Sequence, residues 1–263
     1  MSVVPIRKQT TDNVIHLHLV EEEKPKVRYN KDGSIDKRKL NKVAGVSSEV
    51  YPLTTQEEIK AMIDVFDKHI EEANIDDKRQ TIARIAARNK MLFLIGINVG
   101  LRASDLITLK WNFFLNEDGT FKEFYTLMPK KTKKAKKFVK LYFNQVVKKA
   151  ITEYIEKYPI KDMDEYLFKS KKGDKCITEI ALGRIIKNTA EEAGIKKNIC
   201  SHTLRKTFGF WVYHNAEDKT NALIILQSIF NHSSPAMTSK YIGLTNEEIG
   251  ATFNELNLGE DFI

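Results

Sequence analysis

The chain has 263 residues, 42% of them hydrophobic, which is enough for one sizeable core with an appendage. Lys and Arg number 43 against 35 Asp and Glu, so the formal net charge is +8, and attraction to a polyanion is as well supported as an ordinary basic surface. The longest apolar run (91–101) is too short to span a bilayer, no signal-peptide stretch opens the chain, and the two cysteines lack a metal-binding spacing, so we predict a cytoplasmic protein without membrane association.

The first 51 residues differ in composition from the rest. Residues 14–20 alternate weakly, as a short strand does. The run from Lys24 to Lys42 carries eight Lys and Arg against two Asp, with no long apolar face. We predict that residues 1–51 form a basic, largely extended arm or linker, which either lies along a DNA backbone or is a plain tether.

Helical patterns dominate the next part of the chain. Thr54 and Glu57 have the spacing of a capping box ahead of an amphipathic helix. A second helix is predicted over residues 78–99, with Gly100 as its C-terminal stop. A short helix is predicted from Ser104.

Two predicted strands, 123–128 and 136–143, flank a lysine-rich turn. Polar residues that suit helix N-termini follow at intervals: Asn144, Thr178, Ser201, Thr220 and Ser234 with Pro235. The pattern predicts that residues 52–263 form one mainly α domain of the α+β class, with a small antiparallel β-sheet.

Arg102 follows Gly100 at the turn between two predicted helices. Its guanidinium can grip a phosphate through two parallel hydrogen bonds, which a lysine cannot make. Asp105 can orient that guanidinium or cap the short helix. The alternative is an ordinary Arg–Asp surface pair.

His202 and Arg205 lie on one face of the first turn of a helix that we expect to begin at Ser201. Free N–H groups and the helix dipole favour an anion at such an end. The alternative is a helix start at which Arg205 pairs with a carboxylate.

Residues 129–140 hold seven lysines at the predicted hairpin tip. Such a turn is a solvated tip, a nonspecific phosphate binder, or the carrier of one lysine that protonates a leaving oxygen. Local reasoning does not choose which lysine that is.

His232 and Tyr241 stand nine residues apart near the C-terminus. Taken singly, such a histidine is more often the neighbour of an N-cap, and such a tyrosine belongs to the core. Tyr142, Tyr154 and Tyr213 are predicted to be core tyrosines.

No cofactor and no metal site are predicted. His16 and His18 share one face of a possible strand, but no carboxylate or cysteine pattern accompanies them. No acidic cluster resembles a two-metal nuclease, and no glycine-rich phosphate loop is present. Phosphoryl chemistry without a metal needs several fixed cations, and this chain offers two arginines and a lysine.

The order of these motifs resembles that of the tyrosine recombinase (phage integrase) family. GLRASDLITLKW is similar to the family's first-arginine box, KKTKK to its lysine hairpin and SHTLRKTF to its His-x-x-Arg box. FNHSSPAMTSKYIG is similar to its His-to-Tyr box, with Asn231 where glycine is commonest, at a turn that also accepts Asn. The resemblance covers residues 52 to about 258. Its five motifs in order are far more specific than any one of them: Arg102, the lysine hairpin, His202-x-x-Arg205, His232 and Tyr241.

The resemblance implies a catalytic set of six residues: Arg102, Lys131, His202, Arg205, His232 and Tyr241. Tyr241 would attack the phosphorus and form a 3′-phosphotyrosine. The two arginines and His232 would hold the phosphate oxygens, and His202 would assist proton transfer. Lys131, the lysine before Thr, would protonate the departing 5′-oxygen.

The same resemblance implies double-stranded DNA as substrate and a homo-oligomer, a tetramer, assembled on it. Family members usually carry a helical core-binding domain ahead of the catalytic one, whereas residues 1–51 look extended. We therefore expect either that the clamp is reduced to an arm or that an accessory DNA-binding factor supplies it.

The residues after Tyr241 form a further amphipathic pattern. Asn246 can cap a helix with Ile249, Phe253 and Leu256 on one face. In the family such a segment often passes to the next protomer, so we expect a C-terminal exchange helix. The alternative is docking on its own core.

The leading function is therefore a site-specific DNA recombinase or integrase of mobile-element or phage type. The first alternative is a DNA-binding regulator that keeps the recombinase fold without its chemistry. A type IB topoisomerase-like relaxing enzyme and a basic nucleic-acid binder with an accidental motif match are the others.

Overall fold

The computed structural model describes two short strands near the N-terminus and residues 49–74, 80–129, 138–171 and 173–244. The chain divides into two compact units, residues 1–48 and 49–263. In the first unit, β1 (Thr10–Thr11) pairs antiparallel with β2 (Val14–Ile15). Residues 49–51 of the predicted basic arm are described, whereas its other residues and the predicted C-terminal exchange helix lie outside the described residues.

Helices dominate the described part of the second unit, and a single strand pair joins them. The helices are α1 (Gln56–Asn74), α2 (Gln80–Val99), α3 (Ala103–Leu106), α4 (Gln145–Lys157), α5 (Glu179–Glu192), α6 (Ser201–His214), α7 (Lys219–Phe230) and α8 (Pro235–Ile242). The strands are β3 (Phe124–Leu127) and β4 (Val139–Tyr142), with a 3-10 turn at Trp111–Phe113 before them. The predicted class, mainly helical with a small antiparallel sheet, is confirmed.

The larger core forms where α1 packs against α2 and α2 packs against α4. Phe66 of α1 and Phe93 of α2 are almost fully buried, with ring centroids 5.7 Å apart. From α4, Val147 and Ile151 contribute fully buried side chains. Burial of these side chains supplies the main hydrophobic stabilisation of the unit, at about 1.5–3 kcal/mol for each large one.

The strand pair corrects one prediction. In the antiparallel register Phe124 faces Tyr142, and Tyr125 faces Leu141. Alternate residues of a strand point to opposite faces, so burial of Leu141 turns Tyr142 outward. Tyr142 is 61% exposed and its ring contacts the ring of Phe124, so its prediction as a core residue is wrong. Tyr154 and Tyr213 are buried as expected.

Three predicted helix caps are confirmed: Asn144, Thr178 and Ser234 each accept a backbone N–H in the first turn. Three others are displaced by one or two residues, because a neighbouring side chain reaches the free amides better. In place of Thr54 with Glu57, Thr55 Oγ1 accepts from the Glu58 amide, and the Glu58 carboxylate accepts from the Thr54 amide. Cys200 replaces Ser201, and Asp218 replaces Thr220.

Helix α6 binds the extended segment that enters the unit. Side chains four residues apart along one face of α6 bond the backbone of Tyr51 and Leu53. Thr203 Oγ1 donates to the Tyr51 carbonyl at 2.9 Å, and Trp211 Nε1 donates to the Leu53 carbonyl at 3.0 Å. Between them, Thr207 Oγ1 accepts from the Leu53 amide. These bonds fix the orientation of α6 and therefore of the residues on its other faces.

A smaller core holds α6, α7 and α8 together around Phe230 and Ile242, both fully buried. The helices approach closely at Gly209 of α6, where a Cβ would lie 2.5 Å from Ile242 Cγ2. Across the described ranges, no helix combines the length and the apolar character needed to cross a membrane.

Candidate active site

The end of α2 places Arg102. The helix stops at Gly100, whose φ of +61° suits glycine and whose missing Cβ leaves room for the ring of Phe208. Two residues later, Arg102 is the N-cap of α3, in an extended conformation. Its half-buried side chain donates from Nη2 to the carbonyl of Phe230 at 3.1 Å.

Arg205 lies deeper, in the first half of α6, and is 5% exposed. Its Nη1 donates to the Gly100 carbonyl at 2.6 Å and its Nη2 to the Phe230 carbonyl at 2.9 Å. The guanidinium carbon stacks 4.1 Å from the centre of the Phe230 ring. Burial lowers the pKa of Arg205 to about 10, so the side chain stays charged at neutral pH.

Both arginines therefore bind the same carbonyl oxygen. Phe230 ends α7, and the next residue, Asn231, takes the left-handed conformation with φ 51° and ψ 50°. At this turn the chain has Asn231, where glycine is commonest in the family that the sequence resembles. A carbonyl at a helix C-terminus lacks its helical partner and carries partial negative charge, which suits two cations.

Asp105 acts electrostatically on Arg205. It is 2% exposed, and its charge raises the pKa of Arg205, in opposition to burial. The side chain of the N-cap residue Arg102 makes no capping hydrogen bond to α3, and a capping role for Asp105 stays a prediction. A carboxylate within this low-exposure cluster helps to keep two arginines side by side.

His232 follows the same turn. Its Nδ1 lies 3.0 Å from the hydroxyl of Thr238, which is fully buried in α8. Burial lowers the pKa of His232 from its ordinary 6.5, and the charges of Arg205 and Arg102 lower it further. A histidine in this position is neutral at pH 7.

Tyr241 lies near the end of α8, half-buried. Its ring packs edge-on against His232, with centroids 5.2 Å apart, and against Phe230 at 5.5 Å. Burial raises the pKa of Tyr241 above its ordinary 10.0, and the charges of Arg205 and Arg102 oppose that rise. The hydroxyl is therefore protonated at neutral pH.

A cavity of about 110 Å³ opens among these side chains. Its lining residues are Arg102, Ala103, Glu179, Ser201, His202, Arg205 and Tyr241. The cavity is large enough for a group of phosphate size and has two guanidinium groups and a tyrosine in its wall. The fold thus brings together four of the six proposed catalytic residues at the cavity and places His232 against Tyr241. Lys131 lies outside the described residues.

Sequence reasoning missed three residues that shape this site. Phe230 supplies the shared carbonyl and the stacking ring, although it reads as an ordinary core position. Thr238 pairs with His232 from six residues away, a spacing that no local rule singles out. Lys206 is 8% exposed, and its Nζ lies 5.5 Å from the centre of the Tyr241 ring.

Comparisons with known proteins agree with this arrangement. The model of the phage integrase family matches residues 53–248. The probable integrase/recombinase YoeC of Bacillus subtilis is 36% identical over 181 residues, which is 68% of this chain and 90% of YoeC.

The tyrosine recombinase XerH of Helicobacter pylori is 28% identical over 162 residues, or 60% of this chain, and the match spans 41% of XerH. A crystal structure of XerH bound to its palindromic difH substrate, after cleavage, superposes with a TM-score of 0.54 at 21% identity. That superposition covers 80% of this chain and 52% of the XerH chain, and at this identity it shows the shared fold.

Proposed function

The chain belongs to the phage integrase family, and on that premise we propose that it is a site-specific DNA recombinase that cuts and rejoins DNA through a covalent tyrosine intermediate. The observation that carries this proposal is the convergence of Arg102, Arg205 and Tyr241 on one cavity of about 110 Å³. A non-catalytic fold has no need to keep two adjacent guanidinium groups beside a tyrosine hydroxyl.

The proposed chemistry begins at Tyr241. Its oxygen attacks the phosphorus, a bond forms to the 3′-phosphate, and the bond to the 5′-oxygen breaks. Because the pKa of Tyr241 is raised, the hydroxyl must lose its proton during attack, and His202 at the cavity wall is the base. The departing 5′-oxygen takes a proton from Lys131.

The arginines stabilise the transition state. Negative charge builds on the non-bridging oxygens as the phosphorus becomes five-coordinate, and two fixed guanidinium groups offset it. Their bonds to the Phe230 and Gly100 carbonyls hold them in place before the substrate arrives, so little reorganisation is needed. Religation reverses the same steps with a different 5′-hydroxyl, and no energy cofactor is required.

We further propose double-stranded DNA as the substrate, a tetramer as the assembly on DNA, and a mobile element or phage as the setting. The net charge of +8 supports attraction to DNA. The XerH chain aligned with this one is bound to a DNA substrate. An accessory factor would assist if residues 1–48 do not clamp the DNA.

A suicide duplex from the sequence flanking the gene, with a nick that releases the 5′-fragment, tests the proposal. The wild-type protein should form a covalent adduct that survives denaturation, and Tyr241→Phe should not. Tyr142→Phe is the matched control, since Tyr142 is exposed and outside the site.

Two other outcomes would redirect the assignment. Tight binding of the duplex without any adduct would favour the non-catalytic regulator. Relaxation of supercoiled plasmids without site preference would favour a topoisomerase-like activity.

A further inference from the structure

We propose that Thr238 fixes His232 as the neutral tautomer with its proton on Nε2, so that an uncharged histidine donates a hydrogen bond to the scissile phosphate. The inference deepens the proposed function and rests on it for the phosphate. The tautomer itself is a property of the free protein.

The geometry begins with a single hydroxyl proton. Thr238 Oγ1 lies 3.0 Å from His232 Nδ1 and 3.4 Å from the Ser234 carbonyl oxygen. A threonine hydroxyl has one proton to donate, so it satisfies one of these two acceptors. If the hydroxyl donates to Nδ1, then Nδ1 carries no proton and accepts the hydrogen bond. If the hydroxyl donates to the Ser234 carbonyl, then Nδ1 must carry a proton and donate it to Thr238 Oγ1.

Two observations assign that proton to Nδ1. The distance of 3.4 Å to the Ser234 carbonyl is long for a hydroxyl donor, whose usual range ends near 3.0 Å. Thr238 is fully buried, so no solvent competes for the proton.

The charge around His232 completes the argument. The ionisable groups that act on it are Arg205 and Arg102, both cationic, and its ring packs against Tyr241, which is protonated at neutral pH. A third positive charge beside two guanidinium groups is unfavourable, so the imidazole is neutral. A neutral imidazole has one N–H, and with Nδ1 accepting from Thr238 that N–H is on Nε2.

The consequence concerns the phosphate. With the proton on Nε2, this nitrogen, which Thr238 does not bind, presents a hydrogen-bond donor to a phosphate oxygen. With the proton on Nδ1, Nε2 would present a lone pair to that oxygen and repel it. Thr238 is therefore a positioning residue that converts His232 into a donor without protonation.

The test compares Thr238→Val, which keeps the shape and removes the hydroxyl, with Thr238→Ser, which keeps the hydroxyl. Long-range ¹H–¹⁵N spectra of histidine-labelled protein without DNA report the tautomer of His232, assigned through His232→Gln. Wild type and Thr238→Ser should show the Nε2–H form. Thr238→Val should shift His232 toward Nδ1–H and leave His69, on the surface of α1, unchanged. A wild-type protein with the Nδ1–H form, or Thr238→Val with an unchanged tautomer, overturns the inference.

Cleavage of the suicide duplex gives a second readout. Thr238→Val should slow adduct formation by about tenfold, as expected for loss of one oriented donor, and Thr238→Ser by less than about threefold. In a His232→Ala background the Thr238→Val change should cost nothing more. Equal rates for wild type and Thr238→Val would contradict the inference alone. Absence of adduct in every variant, with the tautomer as stated, would instead contradict the proposed function.

Discussion

At the scale of single residues, Phe230 organises the site. Its carbonyl accepts from both arginines, its ring lies under Arg205, and the same ring packs against His232 and Tyr241. One fully buried core residue thus sets the distances among side chains that are far apart in sequence. The two arginines differ, however, in how much the stability of the fold depends on each of them.

Arg205→Ala should destabilise the fold as well as the reaction. It breaks two charged hydrogen bonds of a 5% exposed side chain and leaves the Gly100 carbonyl without that donor, at a cost of about 2–3 kcal/mol. Arg102→Ala breaks one such bond at a half-buried site and should cost about 1 kcal/mol. Both should slow cleavage at least about a hundredfold. Urea unfolding and suicide-duplex kinetics measure the two effects, and equal losses of stability would contradict the assignment.

His232 should make stability depend on pH. Its folded pKa lies below the unfolded value of 6.5, so between the two values the unfolded chain binds more protons than the folded one. The contribution of neutral His232 to the free energy of unfolding is therefore complete above pH 6.5, and it is lost as the pH falls through the folded pKa of His232. In urea unfolding from pH 7.5 to 5, His232→Gln should flatten the acid-side slope. A slope unchanged by His232→Gln would show that another group causes it.

At the scale of elements, the contact of α6 with α8 carries Tyr241 into place. Gly209→Ala would put a Cβ 2.5 Å from Ile242 Cγ2 and 2.9 Å from Phe230 Cζ. Overpacking of this kind costs about 1–3 kcal/mol and should also move Tyr241, which slows cleavage. Gly183→Ala in α5 is the matched control, because its Cβ meets nothing within 4 Å and should stabilise the helix by about 0.5–1 kcal/mol. Thermal unfolding should show opposite signs for the two variants, and only Gly209→Ala should slow adduct formation. Similar effects of the two variants would refute the packing argument.

The lysine-rich segment between β3 and β4 contains Lys131, which lies outside the described residues and whose role as general acid is a proposal. If Lys131 is the general acid, Lys131→Ala should slow cleavage by about a hundred- to ten-thousandfold. A substrate with a 5′-thiol leaving group needs little protonation and should restore the rate. Lys133→Ala and Lys134→Ala are the controls on the same turn, and an equal loss at either would move the role away from Lys131.

At the scale of the whole molecule, the basic N-terminal unit should govern the salt dependence of DNA binding. The run from Lys24 to Lys42 carries eight Lys and Arg, and each phosphate neutralised contributes about 0.9 to the slope of log affinity against log salt. A variant that starts at Glu49 keeps the Glu49 contacts with Asn198 and Lys206 and should bind more weakly with a smaller slope. Filter binding over a salt series measures the affinity and the slope for both proteins. An unchanged slope would show that residues 1–48 are only a tether.

The sequence by itself determined the class of the fold and most of its boundaries. Apolar residues at helical spacing and side chains that cap neighbouring amides act within a few residues, so helices and three of their caps were predictable. Displaced caps such as Cys200 and Asp218 show the limit of such local rules, because adjacent residues compete for the same free amides. The family, too, followed from the order of five motifs along the chain.

Only the tertiary structure decided how the candidate site is held. Nothing local shows that Arg102 and Arg205 share the Phe230 carbonyl, that Asp105 acts on Arg205, or that Thr238 pairs with His232. Burial of Tyr142 was predicted wrongly because strand alternation fixes two faces but not which of them meets the core. Each of these outcomes depends on residues distant in sequence, and their distances exist only after helices have packed. The sequence therefore identifies the side chains of the candidate site, whereas helix packing sets their charge states and their geometry.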